Sequence, residues 1–223
     1  GIKMRNILFS MLFIVSDTSN AEVISMSSNL IHEDAEDGLK LAFESSVKLI
    51  SVSSTSTSMG SGNLFIYKGE EYIITANHVV ADSLFLDIIE KNGNISTGTV
   101  YLSFPELDLA IIKPNGNLTG TLAVKFNFAG NSKLGKEVFH CGHPIGIPFN
   151  ISTGIITGFG ATGYVINSIS LPGSSGSVVF DKEGKVIGVV VSIAAIGDPP
   201  NVQLVEGIVR VVPIDLSYIL DRM

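Results

Sequence analysis

The stretch that decides the fold is Leu171-Pro172-Gly173-Ser174-Ser175-Gly176-Ser177. It lies between apolar segments typical of β-strands, and its proline and glycines predict a tight turn that displays one hydroxyl group. We take Ser175 as a candidate nucleophile. Because glycine leaves the backbone free of side-chain bulk, we place an oxyanion-binding backbone at Gly173, Ser174 and Ser175, with the N–H groups of Gly173 and Ser175 as donors.

A serine nucleophile needs a general base and a group that orients this base. His78 follows an apolar segment, residues 72–76, and is predicted to end a strand. Asp108 lies inside the apolar run 107–112. A carboxylate in such surroundings is costly unless it is paired, and an imidazole N–H is a suitable partner. The sequence therefore predicts a catalytic triad of His78, Asp108 and Ser175.

These segments resemble the trypsin-like (chymotrypsin-fold) serine peptidases, most closely the HtrA-like group and the glutamyl endopeptidases. The resemblance runs from about residue 58 to residue 220 and keeps the family order of His, Asp and Ser. It depends on Gly60-Ser61-Gly62, Thr75-Ala76-Asn77-His78-Val79-Val80, Asp108-Leu109-Ala110-Ile111-Ile112-Lys113, Gly142-His143-Pro144-Ile145-Gly146, Ser152-Thr153-Gly154-Ile155-Ile156, the nucleophile turn itself and Gly184-Lys185-Val186-Ile187-Gly188.

The resemblance implies a serine endopeptidase that acts on protein or peptide substrates and needs no cofactor. Two positions depart from the family pattern. Ser174 stands where trypsins carry an aspartate that pairs with a newly freed N-terminus, so we expect no activation by that ion pair. Ser177 stands where HtrA-like proteins have glycine, and it slightly favours the glutamyl endopeptidases.

The resemblance also implies the walls of a specificity pocket. They include Ile169, Ser170, Leu171, Val190, Val191, Ser192 and Arg210. Most of the wall segments are apolar, which favours a small or medium aliphatic residue before the scissile bond. Arg210 leaves two alternatives: turned inward it could pair with an acidic side chain, and turned outward it is a solvated strand residue, which strand alternation favours. The backbone of residues 190–192 is expected to pair with an extended substrate.

The pattern from Asn63 onward predicts an all-β fold. Short runs of β-branched and aromatic residues alternate with turn signals, among them Asn92-Gly93, which predicts a type I′ hairpin turn. The resemblance implies two six-stranded antiparallel β-barrels (chymotrypsin-like) with short N- and C-terminal helices. We divide the chain into an N-terminal helical segment at 22–46, one barrel lobe at 47–127 and a second at 128–223. Apolar spacing predicts the first helix between residues 33 and 46, and the terminal helix is expected at 215–220.

Composition narrows the choice of partners. The chain has 223 residues and a net charge of −7, and it has no basic cluster, which argues against a nucleic-acid partner. The single cysteine, Cys141, excludes an intrachain disulfide. His140 and His143 flank this thiol, but strand geometry points His140 and Cys141 to opposite faces, so we predict a buried thiol and no metal site. The sequence leaves the oligomeric state open.

The N-terminus has the pattern of a secretory signal peptide. Lys3 and Arg5 precede the apolar run 7–15, and small residues follow at Ser19 and Ala21. We predict a signal peptide at 1–21, export to the periplasm or medium, and no stable membrane span after processing. A retained anchor or a docked segment is the alternative. After the second lobe we expect no peptide-binding PDZ domain.

Three functions fit these observations. The leading hypothesis is an exported endopeptidase that acts on extended or unfolded protein. The second is a viral or phage protease that processes a longer precursor. The third is a binding or capsid-like module that keeps the fold without turnover.

Overall fold

The computed structural model describes residues 30–160, 162–196, 203–214, 218–219 and 221–223. Residues 1–21, with the predicted signal peptide, lie outside this range. The strands are β1 Ser46–Val52, β2 Thr57–Tyr67, β3 Glu70–Ala76, β4 Phe85–Ile89, β5 Ile95–Phe104, β6 Leu109–Pro114, β7 Glu137–Gly142, β8 Asn150–Gly160, β9 Gly163–Ser168, β10 Val178–Asp181, β11 Val186–Ile196 and β12 Gln203–Val212. The helices are α1 Asp37–Ser45 and α2 Asn77–Val80, and a 3₁₀ turn spans Pro144–Gly146.

The strands form two closed antiparallel barrels. The first has the strand order β1-β2-β3-β6-β5-β4, and the second has the order β10-β11-β12-β9-β8-β7. Where neighbouring strands pair along their common length, closure removes the unpaired sheet edges that would otherwise invite association with another chain. The predicted all-β fold with two six-stranded barrels is therefore confirmed.

The two barrels share apolar packing. One buried cluster contains Leu49 and Ile73 from the first barrel together with Val178 and Phe180 from the second. A second cluster, which includes Val190 and other β-branched residues, fills the interior of the second barrel. Because buried side chains interlock at close to crystal density, this shared core fixes how the barrels face each other.

Helix α1 is confirmed within the predicted segment, and it packs on the second barrel although it precedes the first in sequence. The N–H of Gly38 donates to the carbonyl of Lys182 over 3.3 Å. A Cβ atom at residue 38 would lie 1.8 Å from the carbonyl oxygen of Asp181, so only glycine permits this approach. Of the predicted terminal helix at 215–220, only Tyr218 and Ile219 are described, and both are helical. Within the described ranges, no helix has both the length and the apolarity needed to cross a membrane.

One turn differs from the prediction. Asn92-Gly93 does not form a type I′ pair, because of these two residues only Gly93 has a positive φ, of 83°. The N–H of Gly93 donates to the carbonyl of Glu90, and the N–H of Glu90 donates to that of Asn94. This is a three-residue hairpin connection, in which one glycine supplies the left-handed conformation.

Candidate active site

His78 lies on a one-turn helix rather than at the end of a strand. Strand β3 ends at Ala76, and α2 follows directly. The N–H of Asn77 donates to the carbonyl of Asp108 over 3.0 Å, and the N–H of Ala81 closes the turn on the carbonyl of Asn77. The expectation that His78 ends the strand is therefore wrong by two residues. The hydrogen bonds of Asn77, to the carbonyl of Asp108 and from the N–H of Ala81, belong to a helical turn that begins at Asn77.

Asp108 holds His78 at two points. The Oδ1 atom accepts a hydrogen bond from the backbone N–H of His78 over 2.9 Å, and Oδ2 lies 2.8 Å from its ring Nδ1. Each side chain is 22% exposed. An ionised carboxylate can only accept hydrogen bonds, so Nδ1 carries the proton and Nε2 presents a lone pair. The imidazole can therefore act as a base through Nε2.

The nucleophile segment begins with a type II turn. The N–H of Ser174 donates to the carbonyl of Leu171 over 2.9 Å, with Pro172 and Gly173 at the central positions. Gly173 has a φ of +102°, in the left-handed region that a type II turn needs at its third residue. Ser175 follows this turn and is half-buried.

The turn lies directly against the first barrel. The N–H of Ser61, in β2, donates to the carbonyl of Ser175 over 2.8 Å. A Cβ atom at Gly176 would lie 2.0 Å from the carbonyl oxygen of Ser61 and 3.0 Å from the backbone nitrogen of Ala76. Because Ala76 directly precedes α2, the structure brings the Ser175 turn of the second barrel against the segment that carries His78.

Two N–H groups of the turn remain available. The N–H of Ser174 is engaged within the turn, and the N–H of Gly176 donates to the carbonyl of Val190 over 2.8 Å. The N–H groups of Gly173 and Ser175 have no acceptor among the described residues. Of the three residues predicted for the oxyanion-binding backbone, Ser174 therefore has no free donor to offer.

Strand β11 extends beyond its partner β10. Val178 pairs with Val189, and the N–H of Val190 donates to the carbonyl of Ser177. From residue 191 to residue 196, β11 pairs with β12 on one side, and no described strand pairs with its other edge. This free edge begins next to the nucleophile turn.

A family profile described as "Trypsin-like peptidase domain" matches residues 60–189, which is more than half of the chain. The chain belongs to the trypsin-like peptidase family. The matched region contains the predicted residues His78, Asp108 and Ser175.

The relatives and solved structures found for this peptidase domain include HtrA-type proteases. A "Serine protease HtrA-like" protein of Staphylococcus aureus is 29% identical over 164 residues, covering 65% of this chain and 21% of that protein. A serine endoprotease from Yersinia pestis has a TM-score of 0.66 at 23% identity, covering 88% of this chain and 65% of that one. The HtrA-type protease AlgW, solved with a tripeptide, has a TM-score of 0.67 at 23% identity, covering 83% and 62%.

The predicted resemblance to HtrA-like proteases is thus confirmed. The peptidase domain spans 21% of the length of the curated relatives it matches and less than two thirds of the solved chains.

The pocket-wall residues predicted at 169–171 differ in exposure. Ile169 is 74% exposed, and Leu171 is half-buried. Ser170 is buried, and its Oγ has no hydrogen-bond partner within the described part of the peptidase domain. Residues 169–171 thus combine two apolar side chains that are at least partly exposed with one buried polar atom.

The second wall lies on β11 and β12. Val190 and Val191 are buried, and Val190 packs in the interior of the second barrel. Ser192 pairs with Arg210 across the two strands. The neighbours of Arg210 in sequence, residues 209 and 211, are fully buried in the barrel, so strand alternation places Arg210 on the outer face. Its Nε atom is nevertheless buried, with no acceptor among the described residues.

The segment of two histidines and a cysteine is buried in the core of the peptidase domain. Burial lowers the pKa of His140 to about 4 and the pKa of His143 to about 3, and it raises the pKa of the Cys141 thiol to about 12. His140 Nε2 lies 2.9 Å from Ser168 Oγ. The rings are therefore neutral and the thiol protonated at neutral pH, as in core packing.

Sequence reasoning assigned no role to three buried residues that contact the nucleophile turn, namely Ser61, His143 and Ser177. Each belongs to a segment that supports the family resemblance, and that membership was the available signal. The contacts of Ser61 and His143 with the turn join segments far apart in the chain, and the contact of Ser177 runs to the carbonyl of Ser174 three residues earlier; backbone carbonyls leave no pattern in the sequence.

Proposed function

We propose that this chain is a serine endopeptidase domain that hydrolyses peptide bonds in extended or unfolded protein. The observation that carries the proposal is the two-point hydrogen bonding of His78 to Asp108, next to a turn whose Gly173 and Ser175 N–H groups have no described acceptor. The first supplies an oriented base, and the second supplies two donors for an oxyanion.

In the proposed reaction, Ser175 Oγ attacks the carbonyl carbon of the scissile peptide bond while His78 Nε2 takes the hydroxyl proton. The carbonyl oxygen becomes an oxyanion and accepts hydrogen bonds from the N–H groups of Gly173 and Ser175. The C–N bond then breaks, and His78 returns the proton to the leaving amine. Water, deprotonated by His78, releases the acyl group and restores Ser175. Asp108 keeps the proton on Nδ1 and offsets the imidazolium charge throughout.

We further propose that the substrate binds as an added strand along the free edge of β11, beginning at residue 191. An extended peptide can make backbone hydrogen bonds there without regard to its sequence. This mode suits unfolded segments, because a folded substrate has already paired its backbone groups.

For the residue before the scissile bond, we propose a small or medium aliphatic side chain, supported by the apolar character of Ile169 and Leu171. One observation favours a second candidate, an acidic side chain: Arg210 Nε is buried without a described acceptor. Cleavage profiles of a peptide mixture, for the parent and for Arg210→Gln, distinguish them. Acidic preference in the parent that disappears in R210Q would replace the aliphatic proposal.

The test of the proposed function is hydrolysis of a quenched fluorescent, unfolded protein by the parent chain, by Ser175→Ala and by His78→Ala. We expect hydrolysis by the parent and rates lower by roughly 10³- to 10⁶-fold in either variant. A folded parent without hydrolysis would favour the non-catalytic module. Cleavage restricted to one junction of a longer precursor would favour the processing protease.

Export and the domain division also remain proposals. We propose cleavage after Ala21, followed by a helical segment at 22–46 and two lobes at 47–127 and 128–223. Support comes from the charged, apolar and small-residue pattern at the N-terminus. The mass of the protein recovered from a secreting host would test the cleavage site, since a retained leader would contradict it.

A further inference from the structure

Every carbonyl group of the nucleophile turn, from residue 172 to residue 175, accepts a hydrogen bond. The donors are Ile145 N–H to Pro172 (2.7 Å), Ser61 Oγ to Gly173 (2.7 Å), Ser177 N–H and Oγ to Ser174 (3.2 and 2.7 Å) and Ser61 N–H to Ser175 (2.8 Å). In a trans peptide the N–H points opposite to the C=O of the same unit. The carbonyls of Pro172 and Ser174 belong to the peptide units that carry the N–H groups of Gly173 and Ser175, and the carbonyls of Gly173 and Ser175 belong to the units that follow. The four contacts therefore hold the two units that carry the donors and the unit after each of them.

Ser61 supplies two of these donors from the opposite barrel. It lies in β2 and is completely buried. Its N–H binds the carbonyl of Ser175, and its hydroxyl binds the carbonyl of Gly173. Each of these carbonyls belongs to the peptide unit that directly follows one of the two N–H groups without a described acceptor, so one serine of the first barrel holds the unit next to each donor.

The hydrogen-bonding capacity of the Ser61 hydroxyl is completely used. The backbone N–H of His143 donates to Ser61 Oγ over 3.1 Å, and the ring Nδ1 of His143 lies 3.0 Å from the same oxygen. A hydroxyl has a single hydrogen, and the carbonyl of Gly173 has none to donate, so the Ser61 hydrogen must point to that carbonyl. The Nδ1 atom must therefore carry a proton and donate to Ser61.

The surroundings of His143 are consistent with this tautomer. Burial lowers the pKa of His143 to about 3, so the ring is neutral at neutral pH and has one N–H. With that proton on Nδ1, Nε2 has none to donate, and Nε2 has no hydrogen-bond partner among the described residues. The ring packs edge-on against Phe149, with centroids 4.6 Å apart. Ser61 thus accepts two hydrogen bonds from His143 and has one direction left in which to donate.

We propose that Ser61 is a positioning residue that holds the oxyanion-binding turn in its receptive orientation before substrate arrives. The proposal rests on the proposed function. Gly173 is conformationally permissive, so without the Ser61 hydroxyl the peptide between Gly173 and Ser174 can rotate. The adjoining Pro172–Gly173 unit, which carries the Gly173 N–H, would then be held only by the Ile145 N–H among the described residues, and loss of the hydroxyl would leave two donors of His143 without an acceptor.

The test compares Ser61→Ala with Ser46→Ala. Ser46 is a matched control because it is also completely buried in the first barrel, and its Oγ donates to a carbonyl of the second barrel, that of Cys141, over 3.2 Å. We expect both variants to melt at lower temperature. Only Ser61→Ala should lower kcat, by roughly 10- to 100-fold with KM unchanged, since loss of a whole oxyanion donor costs about 10²- to 10³-fold.

A second readout reports on the oxyanion site itself. Diisopropyl fluorophosphate leaves a phosphoryl oxygen in that site, and the ³¹P chemical shift of the adduct senses its hydrogen bonds. The shift should move in Ser61→Ala and stay at the parent value in Ser46→Ala. If Ser61→Ala does not fold, Ser61→Thr retains the hydroxyl and should keep kcat within about threefold of the parent.

Equal kcat values and equal ³¹P shifts in Ser61→Ala and Ser46→Ala would overturn the proposal. A folded Ser61→Thr variant whose kcat is lower than that of the parent by roughly 100-fold would also overturn it. Failure of the proposed function is a different result, because a parent that neither hydrolyses substrate nor forms the adduct would show it without any variant.

Discussion

Asp108 accepts hydrogen bonds from two nitrogen atoms of His78, one in the backbone and one in the ring, over 2.9 and 2.8 Å. The backbone contact fixes the start of α2, and the ring contact fixes the tautomer. Asp108 itself adopts a φ of +56°, a left-handed conformation that aspartate tolerates better than most residues. The geometry of the base therefore depends on a residue that is difficult to replace.

Asp108→Asn should remove most of the activity while leaving the fold intact. Asparagine also tolerates the left-handed conformation, but its amide can turn an N–H toward the ring and favour the opposite tautomer of His78. We expect kcat to fall by about 10⁴-fold with a small change in KM. Steady-state kinetics on a peptide substrate and a thermal melt provide the measurement.

Asp82→Asn is the matched control for that variant. Asp82 is exposed and also has a left-handed backbone, with a φ of +59°. Its substitution should leave kcat at the parent value. An Asp108→Asn variant that is as active as Asp82→Asn would exclude Asp108 from catalysis.

A comparison of Gly176→Ala with Gly69→Ala should distinguish the cost of a steric clash from the cost of backbone strain. Both Gly176 and Gly69 have positive φ values, +93° and +84°, but a Cβ at Gly176 would meet the carbonyl oxygen of Ser61 at 2.0 Å, and one at Gly69 would meet nothing within 4 Å. We expect Gly69→Ala to lower the free energy of unfolding by about 1 kcal/mol. Gly176→Ala should lower it by about 3 kcal/mol or more and abolish activity. Chemical denaturation measures both, and equal losses would contradict the close approach.

Ser177→Gly should reduce activity only slightly. Two groups of Ser177 donate to the carbonyl of Ser174, the hydroxyl at 2.7 Å and the N–H at 3.2 Å. Glycine keeps the N–H, so the peptide that carries the Ser175 N–H retains one restraint. We expect kcat to fall by roughly two- to tenfold, in line with the loss of one hydrogen bond. A loss as large as that of Ser175→Ala would assign the hydroxyl a direct chemical role.

Acid should destabilise the domain through its two buried histidines. Burial lowers the pKa of His140 to about 4 and that of His143 to about 3, so between pH 6.5 and 4 the unfolded chain binds protons that the folded chain does not. The free energy of unfolding must then fall as the pH falls through this window, by up to about 1.4 kcal/mol per pH unit for each histidine.

Urea denaturation at several pH values measures that slope. His143→Asn should reduce the slope of the free energy of unfolding against pH by up to about 1.4 kcal/mol per pH unit, the contribution of one histidine. His32→Gln, a change at an exposed histidine, is the control with which the slope of His143→Asn is compared. An unchanged slope in His143→Asn would show that this ring is not buried in its neutral form.

The sequence was sufficient for the all-β class because local patterns specify strands, and the family resemblance supplied the two barrels. The runs that form β3 and β6 are rich in β-branched residues, and the two strands pair directly, for example Ile74 with Ile111. The predicted type of the Asn92-Gly93 turn was wrong because this dipeptide is compatible with two hairpin geometries. The pairing of Glu90 with Asn94 selects one of them, and that choice depends on the strands.

The site could be predicted only in part, for a related reason. His78, Asp108 and Ser175 occur in recognisable local contexts. Ser61 also lies in such a context, Gly60-Ser61-Gly62, but its hydrogen bond to the carbonyl of Gly173 joins positions 112 residues apart in the chain and leaves no pattern in the sequence.

Labelling with a fluorescent fluorophosphonate, followed by mass spectrometry of the intact chain, tests the central claim most directly. The probe reacts with a serine hydroxyl only when a base activates it. We predict one adduct on the parent chain, none on Ser175→Ala, and labelling slower by orders of magnitude on His78→Ala. No adduct on the folded parent, or equal labelling of the parent and Ser175→Ala, would contradict the assignment of Ser175 as the nucleophile.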